Sequence, residues 1–212
     1  SIVNGRMLEF AGDYHLPYIH LHNHKGEGLS ANTFGENISS LVVEMNIYES
    51  LFANCITGSL VIADTRNLIG NLPIQGTERI SFKLATPGKP GSDSIIDCTE
   101  ETGHPMHIYK LGSRQQVKDG MIMYVLHFAS REFLRNIRTR VNKSYSGRLD
   151  TMVNSILGDK QGLDTRKKVT VQKTLNKDKI VIPNMKDFYY YCRQNYLQRH
   201  LAFNLWRLTF GV

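Results

Sequence analysis

Cysteine is scarce in this chain. Cys55, Cys98 and Cys192 are odd in number, far apart, and form no C-x-x-C pair. That argues against a disulfide framework or a cysteine zinc cage, and it fits a reducing cytoplasm. Long apolar runs are also missing: none approaches the roughly 18 residues of a membrane-spanning helix. The opening "SIVNGRMLEF" lacks a basic region followed by an apolar core, so neither a secretory leader nor a membrane span is expected. Catalytic signatures are absent too. Ser59 sits in "TGSL", which is not a G-x-S-x-G elbow, and there is no H-E-x-x-H. The glycines of "KGEGLS", "TPGKPGS" and "LIGNLPIQG" match no phosphate-binding loop and read as turn chemistry. Asp64, Asp93 and Asp97 could act as acids, yet none pairs visibly with a second carboxylate. The expected class is therefore non-enzymatic, with no cofactor and no catalytic residue.

The composition is that of an ordinary globular chain. It has 212 residues, 41% hydrophobic and 21% charged, enough to bury a core in one large or two small domains. Basic residues outnumber acidic ones 26 to 19, for a formal net charge of +7. Such a surplus permits an acidic partner, whether nucleic acid or protein. The basic residues concentrate in "REFLRNIRTRVNK" (Arg131, Arg135, Arg138, Arg140, Lys143) and "DTRKKVTVQKTLNKDK" (Arg166, Lys167, Lys168, Lys173, Lys177, Lys179). Solvated helix and hairpin faces look the same, and no interleaved aromatics offer base stacking.

Hydrophobic periodicity divides the chain near residue 130. Before it, strands dominate. "LVVEMNIY" alternates, with Leu41, Val43, Met45 and Ile47 on one apolar face. "GSLVIAD" reads as a strand buried on both faces. "TERISFKLA" sends Ile80, Phe82 and Leu84 inward and Arg79, Ser81 and Lys83 outward, until "TPGKPGSD" stops it. "HIYKLGS" and "MIMYVLHFAS" flank an Asp119-Gly120 hairpin signal. Five or six strands without a normal helix between them suggest an antiparallel barrel or sandwich. After Ser130, a candidate N-cap, "SREFLRNIRTRV" and "SGRLDTMVNSILGD" show helical spacing. "KKVTVQKTL" and "KIVIP" read as strands, "NMKDFYYYCRQNYLQRHL" as a helix and "AFNLWRLTF" as a last strand. The expected fold class is α+β, with a β domain over residues 1–130 and a smaller α/β domain over 131–212.

Four of the eight histidines crowd into "DYHLPYIHLHNHKGEG". On a strand, His20, His22 and His24 would share one face. Histidines two apart can ligate one zinc, and His104 and His107 could join them, so these three are candidate ligands of a metal-dependent hydrolase. A polar strand face, or a subunit contact, is the simpler reading, and no resident metal is expected.

The stretch "NIYESLFANCITGSLVIADTRNLIGNLPIQGTERISFKLATPG", residues 46–88, resembles the first tube-like domain of the baseplate central hub proteins of T-even-like contractile-tailed bacteriophages. "YVLHFASREFLRNIRTRVNKSYSGRLDTMVNSIL" is similar to the passage into that family's inserted α/β domain, and "KIVIPNMKDFYYYCRQNYLQRHL" to its later helix. The pieces fall in the family's order over about residues 38–200, although no single motif is diagnostic. The resemblance implies a tail-tube-like β domain followed by the inserted α/β segment. It implies a homotrimeric virion protein, assembled in the host cytoplasm, that links the tail tube to the spike and forms part of the central channel. Its partners would be copies of itself, the tail tube protein, the spike protein and baseplate wedge proteins, with DNA passing transiently through the channel. Interface candidates are Val43, Met45 and Ile47, then Leu72, Pro73 and Ile74, then Phe188, Tyr191 and Tyr196. Family members run longer and build a second tube-like domain, and one per subunit would not by itself give the family's pseudo-sixfold face. A basic nucleic-acid-binding protein is the remaining alternative.

Overall fold

A computed structural model of the chain describes residues 2–3, 6–7, 15–25, 27, 35–50, 55–71, 76–89, 92–102, 104–118, 120–139, 143–160, 162–175 and 177–182. The chain divides into two compact units. The first comprises Ser1–Ile47 and Thr57–Ala129, together with Val212, and the second Tyr48–Ile56 and Ser130–Gly211.

The first unit is dominated by antiparallel sheet. Two short strands, β1 (Ile2–Val3) and β2 (Arg6–Met7), pair only with each other. The main sheet contains β3 (His15–His22), β4 (Glu36–Asn37), β5 (Val42–Tyr48), β6 (Thr57–Asp64), β7 (Arg79–Lys89), β8 (Ser92–Cys98), β9 (Met106–Lys118) and β10 (Met121–Ala129). Its order is β4-β3-β7-β9-β10-β6-β5, with β8 branching from β7. Among the described residues the path does not return on itself, so the sheet is open rather than a closed barrel. A four-residue helix, α1 (Leu68–Asn71), follows β6.

Register decides which side chains are buried. Ile19 lies opposite Phe82 and Leu21 opposite Ile80. Phe128 lies opposite both Ile108 and Gly58, and Leu126 opposite Leu60. These residues share one face, and all the apolar ones are essentially without exposure. The rings of Phe82 and Phe128 meet there at 5.9 Å and a 60° tilt, a favourable aromatic geometry. Gly58 makes room for them: a Cβ at that position would fall 2.3 Å from Phe128 Cζ and 2.4 Å from the Asn46 carbonyl oxygen.

The alternation expected of "TERISFKLA" holds for Ile80 and Phe82, but the opposite face is not simply solvent: Ser81 is fully buried there. Three other strand expectations need correction. In β6 only Gly58, Leu60, Ile62 and Asp64 are buried, while the alternate residues are half-buried, so one face is sealed rather than two. In β5 no residue is buried. Leu41 belongs to a preceding 3-10 turn and is the one that packs inward. The strand stands at the end of the sheet, where alternation alone does not guarantee a covered face. Finally, β7 runs through "TPGK" to Lys89. A register shift between Thr86 and Lys89 lets the β7–β8 ladder absorb Pro87, which has no N–H to give it. The β9–β10 hairpin turns where Asp119-Gly120 indicated, with Gly120 at φ +76°.

In the second unit, α2 (Arg131–Arg138), β11 (Lys143–Arg148), α3 (Leu149–Gly158) and β12 (Lys177–Ile182) are described. The helical spacing expected to bury Leu149, Met152, Val153, Ile156 and Leu157 does so in α3 for all but Val153, which is half-buried. The loop after α3 closes its C-terminus. The N–H groups of Asp159, Leu163 and Thr165 donate to the carbonyls of Ser155, Ile156 and Leu157, satisfying acceptors that a helix end leaves open. Ser130 precedes α2, but its hydroxyl makes no cap hydrogen bond. Its own N–H donates to the Ile56 carbonyl. "KKVTVQKTL" is not a strand. Its Thr174 N–H and hydroxyl are taken by Asp150 at the start of α3, and β12 pairs instead with β11, which the sequence reading did not anticipate. The expected helix from Asn184 and the last strand lie outside the described residues.

Glycine 58 is the tightest test of the packing. Gly58→Ala is expected to destabilise the first unit by about 1–3 kcal/mol through overpacking, read as a lowered urea midpoint. An unchanged midpoint would contradict the Phe128 contact.

Candidate functional site

Three features could carry function: the histidine strand, the basic segments and the open ends of the sheet.

β3 brings His20 and His22 onto one face, with ring centroids 6.4 Å apart, and Tyr18 lies 3.9 Å from His20. His24 does not join them. The strand ends at His22 because Asn23 folds the chain: its Oδ1 accepts the N–H groups of Lys25 and Glu27, and its own N–H donates to the Glu27 carbonyl. His24 is consequently exposed in the turn. His22 is fully buried. Gly35, at φ +79°, leaves space for its imidazole, since a Cβ there would lie 2.6 Å from Cε1. Opposite His20 stand Asn37 on β4 and Ser81 on β7, and opposite His22 stands Arg79. Arg79 is engaged by Glu100 at 2.7 Å, and Glu36 by Arg66 at 2.9 Å. Burial, then the neighbouring His22, hold His20 below the ordinary imidazole value of 6.5, while Glu36 opposes them. Among the described residues no three His, Cys, Asp or Glu side chains are grouped to hold a metal ion.

Of the acids considered for catalysis, Asp64 and Asp97 have structural partners, and the side chain of Asp93 lies outside the described ones. Asp64 is buried and accepts the N–H groups of Arg66 and Ile69, so it shapes the turn into α1. It also accepts the Tyr124 hydroxyl, whose ionisation is pushed far up, first by burial and then by the Asp64 charge. Asp97 bonds Thr99 and pairs with Lys83 at 2.9 Å. Burial raises its pKa, but those bonds outweigh it and the net shift is downward.

The basic segments are partly committed within the second unit. Arg131 pairs with Asp164 at 2.7 Å. Arg135 donates to the carbonyls of Lys160 and Gly162. Lys167 pairs with Glu132 at 3.2 Å, both side chains being only 6% exposed, and the Thr165 hydroxyl donates to the same carboxylate. Burial opposes ionisation of Glu132, yet Lys167 and the hydrogen bonds hold its pKa below the usual range. Arg131, Arg135 and Lys167 thus fasten the loop after α3 rather than forming a free basic face. Arg138, Arg166, Lys168 and Lys173 remain exposed.

At the sheet's end, β5 has a strand on one side only among the described residues. Val43 is 60% exposed, and Met45 and Ile47 are half-buried. Leu72, Pro73, Ile74, Phe188, Tyr191 and Tyr196 lie outside the described residues. A further open edge, along β9, was not legible in the sequence. β7 contacts β9 only at Met106 and His107, so Lys110–Lys118 has β10 on one side and no described strand on the other. "KLGSRQQVK" lacks apolar alternation, which was the available signal.

No protein-family model matches the chain, and no curated protein matches it.

Two outcomes follow from these side-chain partners. Lys167→Met strands the buried Glu132 carboxylate and is expected to cost about 3–5 kcal/mol, measured by urea unfolding; a loss of a few tenths would contradict the pairing. For His20 the depressed pKa means that the unfolded chain takes up a proton which the folded chain resists. Stability is therefore flat above about pH 7 and falls as pH drops through 6.5 toward the folded value. His20→Gln should flatten that slope in denaturation midpoints, and an identical slope in the variant would sink the assignment.

Proposed function

We propose that the chain is a structural protein of a contractile phage tail baseplate: a homotrimeric central hub that links the tail tube to the spike and contributes to the central channel. The observation that carries this reading is the open antiparallel sheet. Its β6 and nearly all of β7 lie within the stretch, residues 46–88, that resembles a hub's tube-like domain; that stretch begins inside the end strand β5, which exposes Val43. An unpaired strand edge is a template for joining another chain. A protein that keeps such an edge is suited to assembly, where each copy covers the edge of the next.

On this reading the sheet is a tail-tube-like domain and the second unit is the inserted α/β domain. The work is interface burial, about 2,000 Å² or more for an obligate ring. No helix among the described residues is long and apolar enough to cross a membrane, and none is needed. Neighbours would be the tail tube, the spike and the wedge proteins.

Native mass spectrometry of the purified chain should give three times its 24.2 kDa mass, and imaging of assembled tails should place it on the threefold axis. A chain that stays monomeric at every concentration and is absent from tails would refute the proposal.

A further inference from the structure

Among the described residues, open edges belong to β4 and β5 at the ends of the path, to β8, which pairs only with β7, and to the outer part of β9. β4 has two residues, and Asp97 of β8 is already paired with Lys83. The remaining two edges, on β5 and β9, carry opposite charge. β5, "VVEMNIY", holds Glu44 and no basic residue. The outer part of β9, from Lys110 to Lys118, holds Lys110, Arg114 and Lys118 and no acidic residue. All four side chains are exposed. Glu44 accepts a hydrogen bond from Asn46 on its own strand, at 2.7 Å, and no ion pair reaches it among the described residues. Nor does any ion pair among them reach Lys110, Arg114 or Lys118. Beside these charges each edge exposes apolar side chains: Val43 on β5, and Leu111 and Val117 on β9.

We infer that the occupant of each edge is the other edge of a second copy: β5 of one subunit adds to the outer part of β9 of the next. This rests on the ring reading above and names the surface that would close the ring. Three considerations select this pairing. First, the strands fit. β5 has seven residues and the segment Lys110–Lys118 nine, so one can hydrogen-bond along the length of the other. Second, charge favours the mixed pair. Two β9 edges would oppose six cations, and two β5 edges would bring no unlike charges together, whereas β5 against β9 does. Like charges across strands destabilise pairing and unlike charges support it. Third, β5 and the outer part of β9 are different patches, separated in the sheet by β10 and β6. Joining different patches gives a head-to-tail contact, which propagates around a ring instead of stopping at a twofold dimer.

The test is charge reversal, with oligomeric mass as the readout. Glu44→Lys is expected to weaken assembly of the chain by about tenfold or more, as read from the concentration of half-dissociation. The variant Lys110→Glu with Arg114→Glu and Lys118→Glu should do the same. Combining the two sets should restore assembly to near that of the unaltered chain, with a fold unchanged by circular dichroism in every case. Rescue is what a general loss of stability would not produce. An oligomer that persists through both single reversals, or one that the combined variant fails to restore, overturns the edge pairing and leaves the ring reading standing. A chain monomeric before any substitution overturns both.

Discussion

The contact on which the first unit depends is that between Phe82 and Phe128 over Gly58. Phe82 comes from β7, Phe128 from β10 and Gly58 from β6, three strands that are distant in sequence. Bringing their rings to 5.9 Å fixes the register of all three, because a slip of one residue would turn each ring to the other face. Once β7 is fixed, Ile19 and Leu21 of β3 follow opposite Phe82 and Ile80, and His20 and His22 are forced onto the opposite face. The histidine arrangement is thus a consequence of core packing on the other side of the sheet. The polar face inherits its geometry, and His22 is buried there because Gly35 allows close approach.

The second unit solves a different problem. Its α3 ends in a loop whose first ten residues, 159–168, include one apolar side chain, Leu163, and such a loop would fray if held by backbone alone. Its main-chain N–H groups close the helix, and α2 supplies Arg131, Arg135 and Glu132 to hold what remains. Desolvating Lys167 and Glu132 together is tolerable only because each compensates the other and Thr165 takes a further carboxylate lone pair. A run of arginine and lysine therefore carries little information about nucleic acid until its partners are known.

Much of the sheet was legible in the sequence, for a physical reason. Alternation over Ile80–Phe82, the Asp-Gly turn before β10 and the stripe Leu149–Met152–Ile156 of α3 are local patterns that tertiary structure reinforced. What failed depended on neighbours. The expected two-sided burial of "GSLVIAD" requires knowing what covers each face of β6, and only one face is sealed. The apolar face of β5 requires knowing that β5 ends the sheet. "KKVTVQKTL" has strand composition, but its Thr174 is claimed by Asp150, twenty-four residues earlier in the chain. His24 was placed with His20 and His22 by counting, and the side chain of Asn23 ended the strand first. The open edge on β9 has no apolar alternation, since Leu111 and Val117 stand singly among polar and charged residues.

That polarity bears on what the edges are for. Lysine and arginine along a strand edge usually prevent unwanted pairing, and on β9 they would repel any other copy's β9. The same residues do not repel β5, whose one charged side chain is acidic. An edge meant only to stay solitary gains nothing from a partner of opposite sign elsewhere in the same sheet. It also gains nothing from exposing Leu111 and Val117 among its charges, where apolar surface raises the risk of association. The combination makes sense if the charges act as a filter. They oppose self-pairing of β9 while leaving the cross-pairing to β5 open, so that specificity comes from an excluded alternative as much as from the contact itself.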